Sequence, residues 1–129
     1  MTRVLVCGGR NYADWRLVCK TLDELKPTVI IQGGATGADA LADRWANMHG
    51  IERLRYPAAW RDLKAVPLVL RYNRFGLGHA YNAAAGTIRN AKMLAEGKPD
   101  IVVAFPGGKG TADMVAKARA ANVPVLEVS

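Results

Sequence analysis

Several residue types that enzymes commonly use are scarce in this sequence of 129 residues. The only serine is the C-terminal Ser129, so a Ser/His/Asp hydrolase is excluded by inventory alone. The two cysteines, Cys7 and Cys19, are too few for a disulfide framework, and we expect both to be reduced. The two histidines, His49 and His79, are far apart and have no neighbouring cluster of cysteine or carboxylate side chains, so no metal site is predicted.

Long apolar runs are also absent. None approaches the roughly 20 residues that cross a bilayer, and the N-terminus lacks the apolar region and cleavage site of a signal peptide. We therefore expect a cytoplasmic protein. The formal net charge of +7 favours anionic partners. Because acidic residues interrupt the basic ones along most of the chain, a nucleic-acid-binding arm is not predicted.

Short apolar stretches rich in branched residues alternate with segments of helical period, which is typical of an α/β fold. The strands are predicted at Arg3–Cys7, Thr28–Gln32, Arg53–Tyr56, Asp100–Phe105 and Pro124–Val128. The helices are predicted from Trp15 to Leu25, from near Thr36 to about Gly50, from Thr87 to Glu96 and from Thr111 to Ala121. Right-handed crossovers favour a five-stranded parallel sheet of order 3-2-1-4-5 with helices on both faces, a Rossmann-like three-layer domain.

Local signals place the helix ends and one long connection. Thr36-Gly37-Ala38-Asp39 fits a capping box at the start of the second helix, and Gly97 fits a C-terminal cap of the third. The connection from Ala58 to Ala85 is unusually long for a compact domain and rich in basic and aromatic residues. We assign it no regular structure and treat it as an insertion in a single domain spanning residues 1–129.

Three of the predicted strands end in turns that contain glycine. In a parallel sheet these ends lie on one edge, where glycine lets backbone N–H groups approach a ligand and helix N-termini carry partial positive charge. The candidate binding residues are Gly8, Gly9, Arg10 and Asn11 in the first turn; Gly33, Gly34, Ala35, Thr36, Gly37 and Asp39 in the second; and Gly107, Gly108, Lys109, Gly110 and Thr111 in the third. We predict a phosphate or nucleotide site here, with Lys109 and Arg10 pairing with ligand anions.

Neither familiar phosphate motif is present. A glycine follows Lys109, where a P-loop would place Ser or Thr after its lysine, and the second turn does not match G-x-G-x-x-G. NAD dehydrogenases carry an acidic residue after the second strand that hydrogen-bonds a ribose hydroxyl of the cofactor. This sequence has none at that position, so an NAD dehydrogenase is a poor fit. No cofactor is predicted.

The turns and one further stretch resemble the SMF/DprA-LOG, or SLOG, superfamily of Rossmann-like domains, and within it the YspA-like, cpYpsA-related branch. The stretches are Cys7-Gly8-Gly9-Arg10-Asn11-Tyr12, Gly33-Gly34-Ala35-Thr36-Gly37-Ala38-Asp39, Gly86-Thr87-Ile88-Arg89-Asn90 and Phe105-Pro106-Gly107-Gly108-Lys109-Gly110-Thr111-Ala112-Asp113. The resemblance covers nearly the whole chain. It implies a nucleotide or nucleotide-derived ligand bound by backbone amides, and a homo-oligomer.

One lineage of that superfamily, the LOG-type phosphoribohydrolases, uses an arginine and a glutamate that follows Pro-Gly-Gly-x-Gly-Thr-x-x. Met114 occupies the glutamate position here, and methionine cannot handle a proton. A nucleotide-binding module acting as a sensor or in sequestration is therefore favoured. The alternative is a nucleotide N-glycosidase in which Arg89, Asp39 or Asp113 would be catalytic. Single-stranded DNA binding, implied by the DprA lineage, is less favoured.

Several side chains keep two interpretations. Arg89 and Asn90 are predicted either to reach the ligand or to be ordinary surface residues. Asp39 either caps its own helix or accepts hydrogen bonds from ligand hydroxyls. Tyr12 and Trp60 either stack a base or fill core and interface space.

Overall fold

Strands and helices alternate along most of the chain, as the hydrophobic pattern predicts. The computed structural model describes residues 2–60, 64, 68–72 and 80–129. The strands are β1 (Arg3–Cys7), β2 (Val29–Gln32), β3 (Glu52–Arg55), β4 (Leu70–Tyr72), β5 (Ala80–Asn82), β6 (Ile101–Ala104) and β7 (Val125–Glu127). The helices are α1 (Trp15–Leu25), α2 (Ala38–Met48), α3 (Ala85–Gly97) and α4 (Lys109–Ala120). None of these helices is long and apolar enough to cross a membrane.

The main sheet has five parallel strands in the order β3-β2-β1-β6-β7. This is the predicted order 3-2-1-4-5, with β6 and β7 as the fourth and fifth strands, and the α/β Rossmann-like fold is confirmed. The central strand β1 pairs with β2 on one side and β6 on the other, so Val4 lies beside both Ile30 and Ile101. The topology changes direction between β1 and β6, where open α/β sheets bind ligands.

Alternate residues of the sheet face two separate apolar clusters. On one face, Val4 and Val6 pack with Val18 of α1 and Trp45 of α2. On the other face, the strand residues pack with Met93 of α3, and with Met114, Val115 and Ala118 of α4. The sheet is therefore the middle of three layers, and its carboxyl edge is left to the turns.

The long connection contains regular structure that the sequence analysis did not assign. Strands β4 and β5 form a separate antiparallel two-stranded sheet in which Leu70 lies opposite Asn82. An isolated pair of three-residue strands carries too weak an alternation to be recognised in sequence. Residues 61–63, 65–67 and 73–79 of the predicted insertion lie outside the described residues.

Two predicted helix caps are wrong. The Thr36 hydroxyl donates to the Arg10 carbonyl at 3.0 Å and does not cap α2, whose N-cap is Gly37. At the end of α3 the left-handed residue is Lys98, with φ 49°, whereas Gly97 is the last helical residue. A Cβ on Gly97 would lie 3.1 Å from the Ile31 side chain, so this glycine provides space for packing and not a turn.

Candidate functional site

The three glycine turns are hydrogen-bonded to one another at the carboxyl edge of the sheet. The Gly9 N–H donates to the Pro106 carbonyl at 2.9 Å, which joins the first turn to the third. The Gly9 carbonyl accepts from the Ala38 N–H at 3.2 Å, which joins the first turn to the start of α2. The turns therefore form one unit around Gly9.

Two glycines are required by this close packing. Gly37 has φ +75°, and a Cβ there would collide with the Gly9 carbonyl oxygen. A Cβ on Gly107 would lie 2.7 Å from the Gly9 nitrogen and 2.9 Å from the carbonyl carbon of Gly8. Both contacts are with backbone, which cannot move aside as a flexible side chain can.

Gly108 and Gly110 differ from these glycines. A Cβ at either position would meet no atom within 4 Å, and neither residue has a positive φ. In the described part of the chain, neither a clash nor a positive φ requires glycine at these two positions.

A cleft of about 480 Å³ opens at the carboxyl end of β1, between the turns and the first half of α3. This volume lies within the range of roughly 300–1,000 Å³ that is typical of small-molecule sites. The predicted site residues that line it are Gly8, Gly9, Arg10, Ala35, Asp39, Arg89, Asn90, Gly108, Lys109, Gly110, Thr111 and Asp113. Trp60, which the sequence analysis considered for base stacking, also lines the cleft. Further lining residues are Cys7, Gly86 and Thr87, which lie in the stretches that carry the resemblance, and Val6, Ala83 and Met93.

Six predicted binding residues do not line this cleft: Asn11, Gly33, Gly34, Thr36, Gly37 and Gly107. Asn11 is exposed. The Gly34 N–H donates to the Gln32 side chain at 2.5 Å, and the Gly33 carbonyl accepts from Arg89 at 2.7 Å. Most of these six residues instead help to hold the turns together.

The N-terminus of α4 presents backbone donors to the cleft. The first N–H of this region with an acceptor is that of Ala112, which donates to the Gly108 carbonyl at 3.1 Å. In the part of the chain that the structure describes, no group accepts from the four preceding N–H groups, those of Gly108, Lys109, Gly110 and Thr111. Together with the helix dipole, these donors favour an anion.

Arg89 is held in place from several directions. Its Nη1 donates to the Gly33 carbonyl at 2.7 Å and to the Tyr56 carbonyl at 3.4 Å, and its Nε donates to Asn90 Oδ1 at 2.9 Å. Burial lowers the pKa of Arg89, and the Asp39 carboxylate opposes this shift. The guanidinium is therefore fixed before any ligand arrives, and its Nη2 has no partner among the described residues.

Asn90 connects Arg89 to α4. It is only 4% exposed, and its Nδ2 donates to the Gly110 carbonyl at 3.2 Å and to Asp113 Oδ2 at 2.9 Å. The alternative of ordinary surface polarity is therefore wrong for Asn90, which is a buried link between α3 and α4.

Asp39 is 7% exposed and lies at the cleft. Its Oδ2 accepts from the Ala35 N–H at 3.2 Å. Burial raises the pKa of Asp39, while the Ala35 N–H and the nearby Arg89 guanidinium oppose the rise. The side chain thus holds the turn that precedes α2. Its partner Ala35 lies before the N-cap Gly37, which makes no side-chain cap hydrogen bond, so the capping interpretation of Asp39 is not confirmed.

Asp113 is surrounded by protein donors. It accepts from Thr87 Oγ1 at 2.9 Å, from Lys117 Nζ at 2.6 Å and from Asn90 Nδ2 at 2.9 Å. Burial alone would raise its pKa, but the hydrogen bonds from these three side chains outweigh it, and the pKa of Asp113 is lowered. That Thr87 and Lys117 are partners of Asp113 was not predicted from the sequence. Only the i, i+4 spacing of Asp113 and Lys117 indicated that these two side chains pair.

Three further side chains near the site pack against other parts of the protein. Met114 is fully buried in the cluster between α4 and the sheet, and Tyr12 packs on Phe105 with ring centroids 5.0 Å apart. Burial, reinforced by Asp39, raises the pKa of the Cys7 thiol to about 12. Tyr12 therefore packs against the core, and Cys7 lines the cleft as a thiol with a raised pKa.

Comparison with known proteins places the chain in a family. A sequence profile of the YspA, cpYpsA-related SLOG family matches residues 2–62. The chain is also 32% identical to the Gene 61 protein of Mycobacterium phage D29 over 133 residues, which cover 98% of this chain and 95% of that protein. The chain belongs to the YspA, cpYpsA-related SLOG family. The resemblance stated from the motifs is confirmed.

Solved structures share the fold of this SLOG-family chain at low sequence identity. DNA processing protein A (DprA) from Streptococcus pneumoniae matches with a TM-score of 0.72 and 19% identity, over 100% of this chain and 50% of the DprA chain. MurG from Acinetobacter baumannii matches with a TM-score of 0.54 and 16% identity, over 98% of this chain and 34% of MurG. The chain thus spans about half the length of DprA, and the likeness concerns the fold.

Proposed function

We propose that the cleft binds a nucleotide or nucleotide-derived ligand, and that the protein acts as a sensor or sequestering module for it. The observation that carries this proposal is the run of four backbone N–H groups, from Gly108 to Thr111, without acceptors among the described residues. Unsatisfied donors at a helix N-terminus are suited to a phosphate group. Family membership supports the same ligand class.

The charges around the cleft support an anionic ligand. Lys109 and Arg10 line it, and Arg10 lies 5.7 Å from the centre of the Trp60 ring. Trp60 in turn lies close to Gly86, at the start of α3, where a Cβ would be 3.2 Å from the indole. An aromatic wall beside a phosphate cradle provides a surface for a base, which is the first of the two interpretations given to Trp60.

The alternative N-glycosidase lacks a suitably placed carboxylate at the position where LOG-type enzymes carry glutamate. Met114 occupies that position and is buried in the core. The neighbouring Asp113 accepts hydrogen bonds from three protein side chains. DNA binding is less favoured because the unpaired amides are concentrated at one helix end, whereas single-strand sites follow a backbone along a groove.

Native mass spectrometry of the purified protein, followed by extraction, tests whether a nucleotide-sized ligand is bound. The same spectra report the homo-oligomer that we propose from the family resemblance. In parallel, thermal shifts are measured with nucleoside 5'-monophosphates and with the nucleosides that lack phosphate. We expect stabilisation by the phosphorylated compounds only, because a ligand that binds the folded state raises the melting temperature.

Lys109→Ala tests the assignment of the phosphate site. Its control is Lys20→Ala, which removes the same charge from an exposed position on α1. We expect Lys109→Ala to weaken nucleotide binding and Lys20→Ala to leave it unchanged. Release of free base from the nucleotides would replace the binding module with the glycosidase, and a steeply salt-dependent affinity for single-stranded DNA would favour the third hypothesis.

A further inference from the structure

A buried carboxylate in a cleft built for an anion needs an explanation. Asp39 lines the same cleft as the amides of α4, Lys109 and Arg10. An ionised carboxylate repels a phosphate, and its desolvation has a cost that the Ala35 and Gly33 N–H groups and the Arg89 and Arg10 guanidinium groups offset only in part. The position is therefore unsuited to the phosphate itself and suited to a neutral donor on the same ligand.

One oxygen of Asp39 is available for that donor. The hydrogen bond from Ala35 reaches Oδ2, and the backbone N–H of Gly33 also stabilises the carboxylate, but no side chain of the described residues donates to Oδ1. Among those residues, the one buried side-chain polar atom that lacks a partner is the Tyr12 hydroxyl. Oδ1 of Asp39 is not among such fully buried atoms, so it keeps contact with solvent, and Asp39 lines the cleft.

Arg89 lies between this carboxylate and the phosphate cradle. Its guanidinium interacts electrostatically with both Asp39 and Asp113. Towards Asp39, the guanidinium donates a hydrogen bond to the Gly33 carbonyl. Towards α4, it donates to the side chain of Asn90, which in turn donates to the Gly110 carbonyl. Asp39 and the unpaired amides are thus separated across the cleft by one arginine and one asparagine side chain.

We infer that Asp39 accepts hydrogen bonds from the ribose hydroxyls of the ligand, and that the site therefore prefers ribonucleotides to deoxyribonucleotides. This inference rests on the proposed function. The hydroxyls of a ribose 5'-phosphate are one sugar ring away from the phosphate, and both are neutral donors that a carboxylate accepts well. The indole ring of Trp60 is then left to contact the base.

The test uses the wild-type protein with the 5'-monophosphates of adenosine, guanosine, cytidine and uridine, each also as its 2'-deoxy and 3'-deoxy form. Affinities are measured by calorimetry. We expect about tenfold or more loss on removal of at least one hydroxyl, as for hydrogen bonds to a charged group. Equal affinity for the ribo and both deoxy forms would overturn the inference while leaving the proposed function intact. Absence of any nucleotide binding would refute the proposed function and the inference with it.

The Asp39→Asn variant tests whether the preference for ribonucleotides depends on this side chain. Its matched control is Asp43→Asn, one helical turn further along α2, where the carboxylate accepts from Arg53 and Gln32 and does not line this cleft. We expect Asp39→Asn to abolish the preference for ribose and Asp43→Asn to keep it. The melting temperature of ligand-free Asp39→Asn should be unchanged or higher, because the amide oxygen still accepts from Ala35 without the desolvated charge. A lower melting temperature with the preference intact would assign Asp39 only to holding the turn before α2 through Ala35.

Discussion

Gly110→Ala is expected to separate stability from binding. Gly110 is the second residue of α4, its φ is not positive, and a Cβ there would meet no atom within 4 Å. Alanine in a helix is more favourable than glycine by about 0.5–1 kcal/mol. For a chain of this length that corresponds to a rise in melting temperature of roughly 2–6 °C. The ligand-free variant should therefore be more stable than the wild type.

The same methyl group should weaken nucleotide binding, because Gly110 lines the cleft beside the unpaired amides. Loss of close approach by one phosphate oxygen is expected to reduce affinity by about tenfold, or 1.4 kcal/mol. Urea unfolding of the ligand-free protein and calorimetric titration measure the two effects separately. Gly107→Ala is the contrasting variant, since its Cβ would lie 2.7 Å from the Gly9 nitrogen and should destabilise the fold itself. If Gly110→Ala binds nucleotide as tightly as the wild type, these amides are not the phosphate site.

Three further variants or treatments test the surroundings of the cleft. Asp113→Asn should lower the free energy of unfolding by about 1–2 kcal/mol at neutral pH. Since the pKa of Asp113 is lowered on folding, the difference from wild type should be fully present above about pH 5 and disappear as acid urea titrations pass through the lower, folded-state pKa. Arg89→Lys should cost about 1–3 kcal/mol, because the oxygen of buried Asn90 loses its donor; equal stability in urea would contradict this account. Iodoacetamide at pH 8 should modify Cys7 far more slowly than a free thiol, since its pKa is raised to about 12, and peptide mass mapping would detect any faster reaction.

The sheet order was predictable because β1, β2 and β6 are continuous apolar runs separated by segments of helical period. Central parallel strands are buried on both faces, and the rule of right-handed crossovers leaves few arrangements. Helix ends were less predictable. Gly97 has the residue type of a cap, but sequence does not distinguish a glycine kept for its conformation from one kept for the space that Ile31 occupies.

The site was predictable to the extent that it lies at strand ends. Glycine turns at the carboxyl edge of a parallel sheet meet in space, and this brought Gly8, Arg10 and Gly108 correctly to one cleft. The partners of Asp113 were not predictable in full. Thr87 is 26 residues away in sequence, and only the packing of α3 on α4 brings the two side chains to 2.9 Å.

The burial of Met114 has an evolutionary consequence. Its side chain fills the space between α4 and the sheet, at the position where LOG-type relatives carry the glutamate of their chemistry. A single substitution to glutamate would place a carboxylate among Leu5, Val102 and Ala118, where the cost of its desolvation would destabilise the fold. Glycosidase chemistry by that route would first require α4 to move relative to the sheet. The packing between α4 and the sheet, more than the residues that line the cleft, therefore restricts which reactions related proteins can acquire.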